Sequence, residues 1–204
     1  MEKIQLILII AAIIVGLIII AITVNYLKKS KGRKGEKKVA ALLKKSGKSR
    51  GGRLINNAYL PLYKGTCEVD HILIGDFGVL AVETKSVSGT ISGSGKNLVH
   101  QSGNRTHTLY NPQFQNKTHV DNIIYHLQKA GIKNVPVSGI VVFSSDDVVL
   151  KSNVGIYLRE VPRYIMGMRN AGCDTRKIYN AIQDVRVKNP LKKLAHDVKV
   201  GLKR

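Results

Sequence analysis

The chain has 204 residues and a net charge of +20, from 33 lysines and arginines against 13 aspartates and glutamates. So large a basic excess is typical of a protein with a polyanionic partner. Nucleic acid is the leading candidate. The two cysteines exclude a disulfide framework and suit a reducing compartment. Aromatic residues make up only 5% of the chain, so no base-stacking platform is apparent and binding should be mostly electrostatic.

The amino-terminal segment, residues 4–27, contains no charged side chain and consists mainly of Ile, Leu, Val and Ala. It is long enough to cross a hydrocarbon core of about 30 Å, which predicts a transmembrane helix within an anchor of residues 1–27. A cleaved signal peptide is the main alternative, but its apolar region is usually about 7–15 residues long and ends in a small-x-small site. Because basic residues mostly follow the span, we expect a single-pass protein of the cell membrane with a cytoplasmic carboxyl-terminal domain.

The residues after the span are strongly basic. Residues 28–34 are expected to form a short basic linker, which anionic lipid could also attract. A helix is predicted over residues 35–46, where Glu36 shares one face with Val39 and Leu43. A carboxylate on the apolar face of a helix calls for a cationic group nearby. Glu36 is therefore a candidate site residue.

An apolar hairpin is predicted over residues 69–85, with turn-forming residues at its centre. If the hairpin closes symmetrically about its central Asp-Phe pair, Asp70 lies opposite Glu83. Glu83 and Lys85 share a face because side chains alternate along a strand. Burying three such charges together costs several kcal/mol unless a metal or substrate compensates. This arrangement predicts a functional site.

The chemistry of these side chains fits cleavage of phosphodiester bonds. Two carboxylates can hold one or two Mg²⁺ (or Mn²⁺) ions, which prefer oxygen ligands and retain several waters. The metal acidifies a water and stabilises charge on the phosphate, while a lysine can orient the nucleophile or neutralise the oxyanion. On this chemistry we expect Asp70 and Glu83 to be metal ligands and Lys85 to be a catalytic residue.

The remaining elements suit a single α/β domain of residues 35–204, with a core of about residues 35–145 and a helical, basic carboxyl-terminal part. Strands are predicted over residues 53–59, 89–91, 97–100, 135–143, 148–150 and 154–156, and helices over residues 112–130, 160–168, 174–185 and 190–202.

Several short motifs follow one another in a characteristic order. They are Gly35-Glu36, the hairpin with Asp70, Glu83 and Lys85, a glycine-rich connection with Gly89, and Asn111-Pro112-x-x-Gln115. This ordered set, over about residues 33–145, resembles the nuclease-related domain (NERD) family of the PD-(D/E)xK nuclease superfamily. The resemblance implies a restriction-endonuclease-like fold, a mixed sheet flanked by helices. It also implies metal-dependent nuclease activity in DNA processing, with DNA favoured over RNA. In that activity Glu36 would be a further acidic ligand and Gln115 would support the substrate or the site geometry.

Two other functions are compatible with the same sequence features. The same fold could hold nucleic acid at the membrane without cutting it, or it could serve as a membrane-surface scaffold for another protein. Other polar residues have simpler interpretations: His71 should point away from the Asp70 face, His119 and His126 share a helical face without a third metal ligand, and Cys67 is a buried free thiol.

Overall fold

The computed structural model describes residues 2–188, which divide between Lys34 and Gly35 into two compact units. Helix α1 runs over Glu2–Gly47, so residues 28–34, predicted to form a basic linker, are helical. Lys and Arg are good helix formers and no proline interrupts this stretch. Among the residues that the structure describes, no helix is long and apolar enough to cross a membrane, so the transmembrane helix predicted within residues 1–27 stays a prediction from the sequence. The helix predicted over residues 190–202 lies outside the described residues.

The second unit continues with strands and helices that follow the predicted order. They are β1 (Arg53–Pro61), β2 (Thr66–Gly75), β3 (Gly78–Lys85), β4 (Gly89–Ser92), β5 (Asn97–Ser102), β6 (Arg105–Tyr110), α2 (Pro112–Lys129), β7 (Val137–Phe143), β8 (Val148–Leu150), β9 (Ile156–Tyr157), α3 (Val161–Gly167) and α4 (Thr175–Val185).

These strands form two mixed sheets. The larger sheet has the order β1-β2-β3-β7-β9, in which β1 to β3 are antiparallel, whereas β7 runs parallel to β3 and β9 runs parallel to β7. The smaller sheet has the order β6-β5-β4-β8. Only a short link joins β3 to β4, so the smaller sheet starts from the end of β3 that carries Lys85.

Helices cover both faces of the larger sheet. Ile123 and Leu127 of α2, with Ile178 and Ile182 of α4, pack in a cluster that contains Ala81 of β3. On the opposite face, a second cluster joins apolar side chains of α1, β3, β7 and α3, including Val39, Leu43, Leu80, Val142 and Ile165. Each fully buried aliphatic side chain contributes about 1.5–3 kcal/mol relative to exposure. The predicted α/β class, a mixed sheet flanked by helices, is confirmed for this unit.

Strand β6 was missed by the sequence analysis. Its side chains are mostly exposed, so it lacks the apolar alternation that indicates a half-buried strand. It forms because the chain reverses at Gly103, which has φ +57°, and pairs with β5 from Ser102↔Arg105 to Asn97↔Tyr110. Glycine adopts this left-handed conformation without a steric penalty.

Candidate functional site

The hairpin of β2 and β3 closes with the predicted register. Gly75 pairs with Gly78, and the ladder runs in step to His71↔Val82, so Asp70 and Glu83 come next at its open end. The ladder between β1 and β2 is interrupted beside Asp70, where Asn57 has φ +48°. The interruption breaks the regular alternation of side chains between the two faces of the sheet. In this place the backbone N–H of Thr84 donates a hydrogen bond to Asp70 Oδ2 at 2.7 Å.

Glu83, Lys85 and Gln115 form one connected group. Lys85 Nζ donates to Glu83 Oε1 at 2.6 Å and to Gln115 Oε1 at 3.2 Å. Glu83 is only 2% exposed, whereas Lys85 and Gln115 are half-buried. The lysine therefore bridges an acid of the sheet and an amide of α2. A charge-assisted bond of this length is stronger than a neutral one.

Helix α2 is held in place by two asparagines. Asn111 caps its amino terminus, since its side chain accepts a hydrogen bond from the N–H of Gln113 at 3.0 Å. The buried Asn116 donates to the backbone oxygens of Ala81 at 3.2 Å and Ile140 at 2.9 Å. Asn116 thus fastens α2 across β3 and β7, and its neighbour Gln115 reaches Lys85. Gln115 is predicted by the family motif, whereas no sequence pattern indicates the anchoring role of Asn116.

His119 also lies in this group of side chains, although the sequence did not predict it there. It lies one helical turn after Gln115, and its Nε2 is 3.3 Å from Glu83 Oε2, although the two atoms do not form a well-aligned hydrogen bond. Asn122 donates to the sulfur of Cys67 at 3.2 Å on the same side of the helix. The spacing of Gln115 and His119, four residues apart on a helix, was the available signal. His126, which shares a helical face with His119, lies away from this group, with its Nε2 3.0 Å from Pro61 O.

His71 takes the structural role that the sequence analysis expected. Its side chain is buried, and Nδ1 lies 2.8 Å from Asn56 Oδ1. Burial lowers the pKa of His71 to about 4, despite the opposing attraction of Glu83. His71 is therefore neutral at physiological pH.

Glu83 and His119 each stabilise the charged form of the other. Burial alone would raise the pKa of Glu83, but His119 and Lys85 outweigh it and hold this pKa below its usual value. Burial also lowers the pKa of His119, yet its contacts with Cys67 and Glu83 prevail and raise it to about 9. At neutral pH the structure thus contains an ionised Glu83 between two cations, Lys85 and protonated His119.

Asp70 behaves in the opposite way. Burial raises its pKa to about 8, and the negative charges of Glu83 and Glu36 add to the shift against the favourable bond from Thr84. The three predicted acids are therefore close enough to interact electrostatically.

Gly35 explains how Glu36 comes close enough to interact with Asp70. A Cβ at Gly35 would overlap Ser86 Oγ and Ser144 Oγ, which are hydrogen-bonded to each other at 2.7 Å. Ser86 and Ser144 directly follow β3 and β7. Only glycine lets α1 approach the ends of these strands so closely.

The carboxylates fit a hard divalent cation. No three His, Cys, Asp or Glu side chains are grouped as a metal site in the part of the chain that the structure describes. Mg²⁺ does not require such a cage, because one or two carboxylates and several waters suffice. Glu83 Oε2 is buried and forms no well-aligned hydrogen bond, although His119 Nε2 lies 3.3 Å away, so this oxygen keeps the capacity to accept a further ligand. The raised pKa of Asp70 likewise marks a site where added positive charge would be favourable.

Comparisons with known proteins point to one family. The model of the nuclease-related domain matches residues 31–144, a range that contains Glu36, Asp70, Glu83, Lys85 and Gln115. An uncharacterized protein of Bacillus anthracis is 33% identical over 107 residues, which cover 52% of this chain and 50% of that protein. The chain therefore spans about half the length of this curated relative. The PD-(D/E)xK superfamily is the general kind of fold to which the matched domain corresponds. The chain belongs to the nuclease-related domain family.

Proposed function

We propose that this chain is a nuclease that hydrolyses phosphodiester bonds of nucleic acid with Mg²⁺ or Mn²⁺, and that DNA is its preferred substrate. One observation carries the proposal. Lys85 Nζ lies 2.6 Å from Glu83 Oε1 and 3.2 Å from Gln115 Oε1, at the open end of the hairpin that also presents Asp70. Two carboxylates and a lysine in one place provide what phosphodiester hydrolysis needs.

Each residue would have a separate role. Asp70 and Glu83 would hold the ion, with Glu36 as a further acidic ligand. The ion, when bound, would supply an activated water and offset charge on the phosphate. Lys85 would orient the nucleophile or neutralise the developing oxyanion, while Gln115 keeps the lysine in position. His119 would keep Glu83 ionised and oriented, because it contacts the oxygen that Lys85 does not.

A substrate and metal panel tests the proposal. The full chain is incubated with single-stranded DNA, duplex DNA and RNA, each with EDTA, Mg²⁺ or Mn²⁺, and the products are separated on a denaturing gel. We expect cleavage with either metal and none with EDTA. Tight binding to all substrates without cleavage under any condition would reject the nuclease and favour a non-catalytic nucleic-acid-binding module.

The binding module is the second candidate because of the charge of the chain. An excess of 20 positive charges is suited to the phosphate backbone whether or not cleavage follows. A membrane-surface scaffold, the third possibility, would not need affinity for nucleic acid. Binding that weakens steeply with salt separates the first two candidates from the third.

Membrane attachment through residues 4–27, with the rest of the chain in the cytoplasm, stays a prediction from composition. Its support is the lack of charge in this segment and the basic residues that follow it. Cells that express the full chain or a variant without residues 1–27 are fractionated. The full chain should sediment with membranes and the shortened chain should not; recovery of the full chain in the soluble fraction would contradict the prediction.

A further inference from the structure

Two exposed aromatic side chains lie side by side where β6 passes into α2. Tyr110 is 47% exposed and Phe114 is 44% exposed, and their ring centroids are 6.4 Å apart. Aromatic rings carry much of the burial energy of a protein or of an interface. Two neighbouring rings left in solvent therefore form an apolar surface that a partner can cover.

The rings are fixed on a rigid frame rather than on a loose loop. Asn111, which lies between them, caps α2, and its side chain also donates to Gly95 O at 2.8 Å. Its backbone N–H donates to Lys96 O at 2.9 Å. Three hydrogen bonds of one residue thus hold the junction of β6 and α2. A surface held in this way loses little entropy when a partner binds.

The rings lie at the same end of α2 as Gln115 of the candidate active site. Phe114 directly precedes Gln115, whose side chain contacts Lys85 Nζ at 3.2 Å. The smaller sheet itself starts just beyond Lys85, and His100 Nε2 of β5 lies 2.8 Å from Ser88 O in the connection between β3 and β4. A ligand that covers the rings would therefore lie next to the site.

The face of the smaller sheet that carries Tyr110 has no charged side chain in β5 and β6. Cross-strand pairs place Asn97 opposite Tyr110, Val99 opposite Thr108 and Gln101 opposite Thr106. Side chains of this row are exposed, including Val99 at 46%. In a chain with a net charge of +20, an uncharged hydrogen-bonding face suits bases better than phosphates.

We infer that Tyr110 and Phe114 form a stacking surface for an unpaired base, so that the substrate of this site is a single-stranded segment or end. The inference rests on the proposed function, whose substrate class it names. Aromatic rings stack on any base once it is unpaired, whereas bases inside a duplex already stack on each other. Lys96, exposed in the turn that Asn111 holds, supplies a charge for the adjoining phosphate.

Binding in EDTA tests the inference without interference from cleavage. The full chain and its Tyr110→Ala and Phe114→Ala variants are titrated against a fluorescent single strand and the matching duplex. Loss of one stacking contact should weaken single-strand binding by about 5- to 150-fold, which corresponds to about 1–3 kcal/mol. Duplex binding should change less than about threefold, because dispersed basic residues supply it.

Two variants serve as controls. Tyr110→Phe keeps the ring and should bind as the wild type does. Tyr63→Ala removes a ring that is 99% exposed in the turn between β1 and β2. That turn lies near the carboxyl end of α2, where His126 approaches Pro61 O, about 18 Å along the helix from Phe114. This variant should bind normally.

Three outcomes would overturn the inference. They are unchanged single-strand binding by both alanine variants, equal loss on single strand and duplex, and conversion of a dimer to a monomer by either variant in light scattering, which would assign the rings to a second copy. The nuclease proposal fails separately. If the wild type never cleaves but loses single-strand affinity with the rings, the stacking surface stands without the nuclease.

Discussion

Glu83 is ionised although it is 2% exposed, because Lys85 and His119 each face one of its oxygens. Such a buried group contributes little net stability, since desolvation offsets the attraction. The negative charge of Glu83 is instead available to a cation, and the ammonium group of Lys85 places a hydrogen-bond donor beside this carboxylate. The arrangement is therefore better suited to chemistry than to holding the fold together.

Replacement of Glu83 by Gln or Lys85 by Met should lower the cleavage rate by about 10²–10³-fold, the usual effect of losing one electrostatic stabiliser. Neither change should abolish folding or nucleic-acid binding. Rates are measured under single-turnover conditions with Mg²⁺, and folding is followed by circular dichroism. Glu68→Gln in β2 and Lys117→Met on the exposed side of α2 are the matched controls and should cleave normally. Equal cleavage by both site variants would remove Glu83 and Lys85 from the mechanism.

Asp70 predicts a pH dependence of stability. Its pKa is raised from 3.8 to about 8 in the folded chain, mainly by burial, so the folded state binds the proton more tightly than the unfolded state does. This contribution favours folding below about pH 4 and is lost progressively as the pH rises to about 8.

Asp70→Asn should therefore raise the melting temperature at pH 8 in EDTA by about 2–4 °C, as about 1 kcal/mol does in a domain of this size. The difference should vanish near pH 4. Thermal unfolding at both pH values measures it, with Asp121→Asn, an exposed change on α2, as the control. A variant less stable than the wild type at pH 8 would contradict the raised pKa.

At the scale of elements, the site depends on how closely α1 meets the ends of β3 and β7. Gly35 permits this approach because any side chain there would overlap the hydroxyls of Ser86 and Ser144. Asn116 fixes α2 on the other face of the sheet. The acids of the hairpin thus receive Glu36 from one helix and His119 from another.

Gly35→Ala should destabilise the domain by about 1–3 kcal/mol, the usual effect of an extra methyl group in a packed place. Removing both hydroxyls, with Ser86→Ala and Ser144→Ala, should restore part of the loss. Gly32→Ala is the control, since a Cβ at Gly32 meets nothing within 4 Å. Urea unfolding gives the free energy of unfolding of Gly35→Ala alone, of Gly35→Ala with both serine changes, and of Gly32→Ala. A Gly35→Ala protein as stable as the Gly32→Ala protein would show that the close approach is unimportant.

At the scale of the whole molecule, the excess of basic residues determines how nucleic acid is held. The logarithm of the affinity for duplex DNA should fall linearly with the logarithm of the salt concentration, with a slope of about −0.9 for each phosphate neutralised. Fluorescence anisotropy of the full chain from low to physiological salt measures the slope. Glu83→Gln and Lys85→Met should share the wild-type slope within about one phosphate. Affinity that does not change with salt would assign the charge to another role.

The register of the central hairpin was determined by the sequence alone, as were the order of most elements and the α/β class. The closure of β2 on β3 depends on neighbouring residues, and the periods of strands and helices can be read locally. Gln115 was found through its family motif, and Glu36 through its place on an apolar helical face.

Only the tertiary structure decided which distant residues join these groups. His119 meets Glu83 because Asn116 fastens α2 across the sheet, and Asn97 meets Tyr110 because β6, which has no apolar pattern of its own, pairs with β5. The continuity of α1 through residues 28–34 likewise did not follow from charge, which favours a linker and a solvated helix equally. Local patterns specify the elements, whereas contacts between residues far apart in sequence depend on how the elements pack.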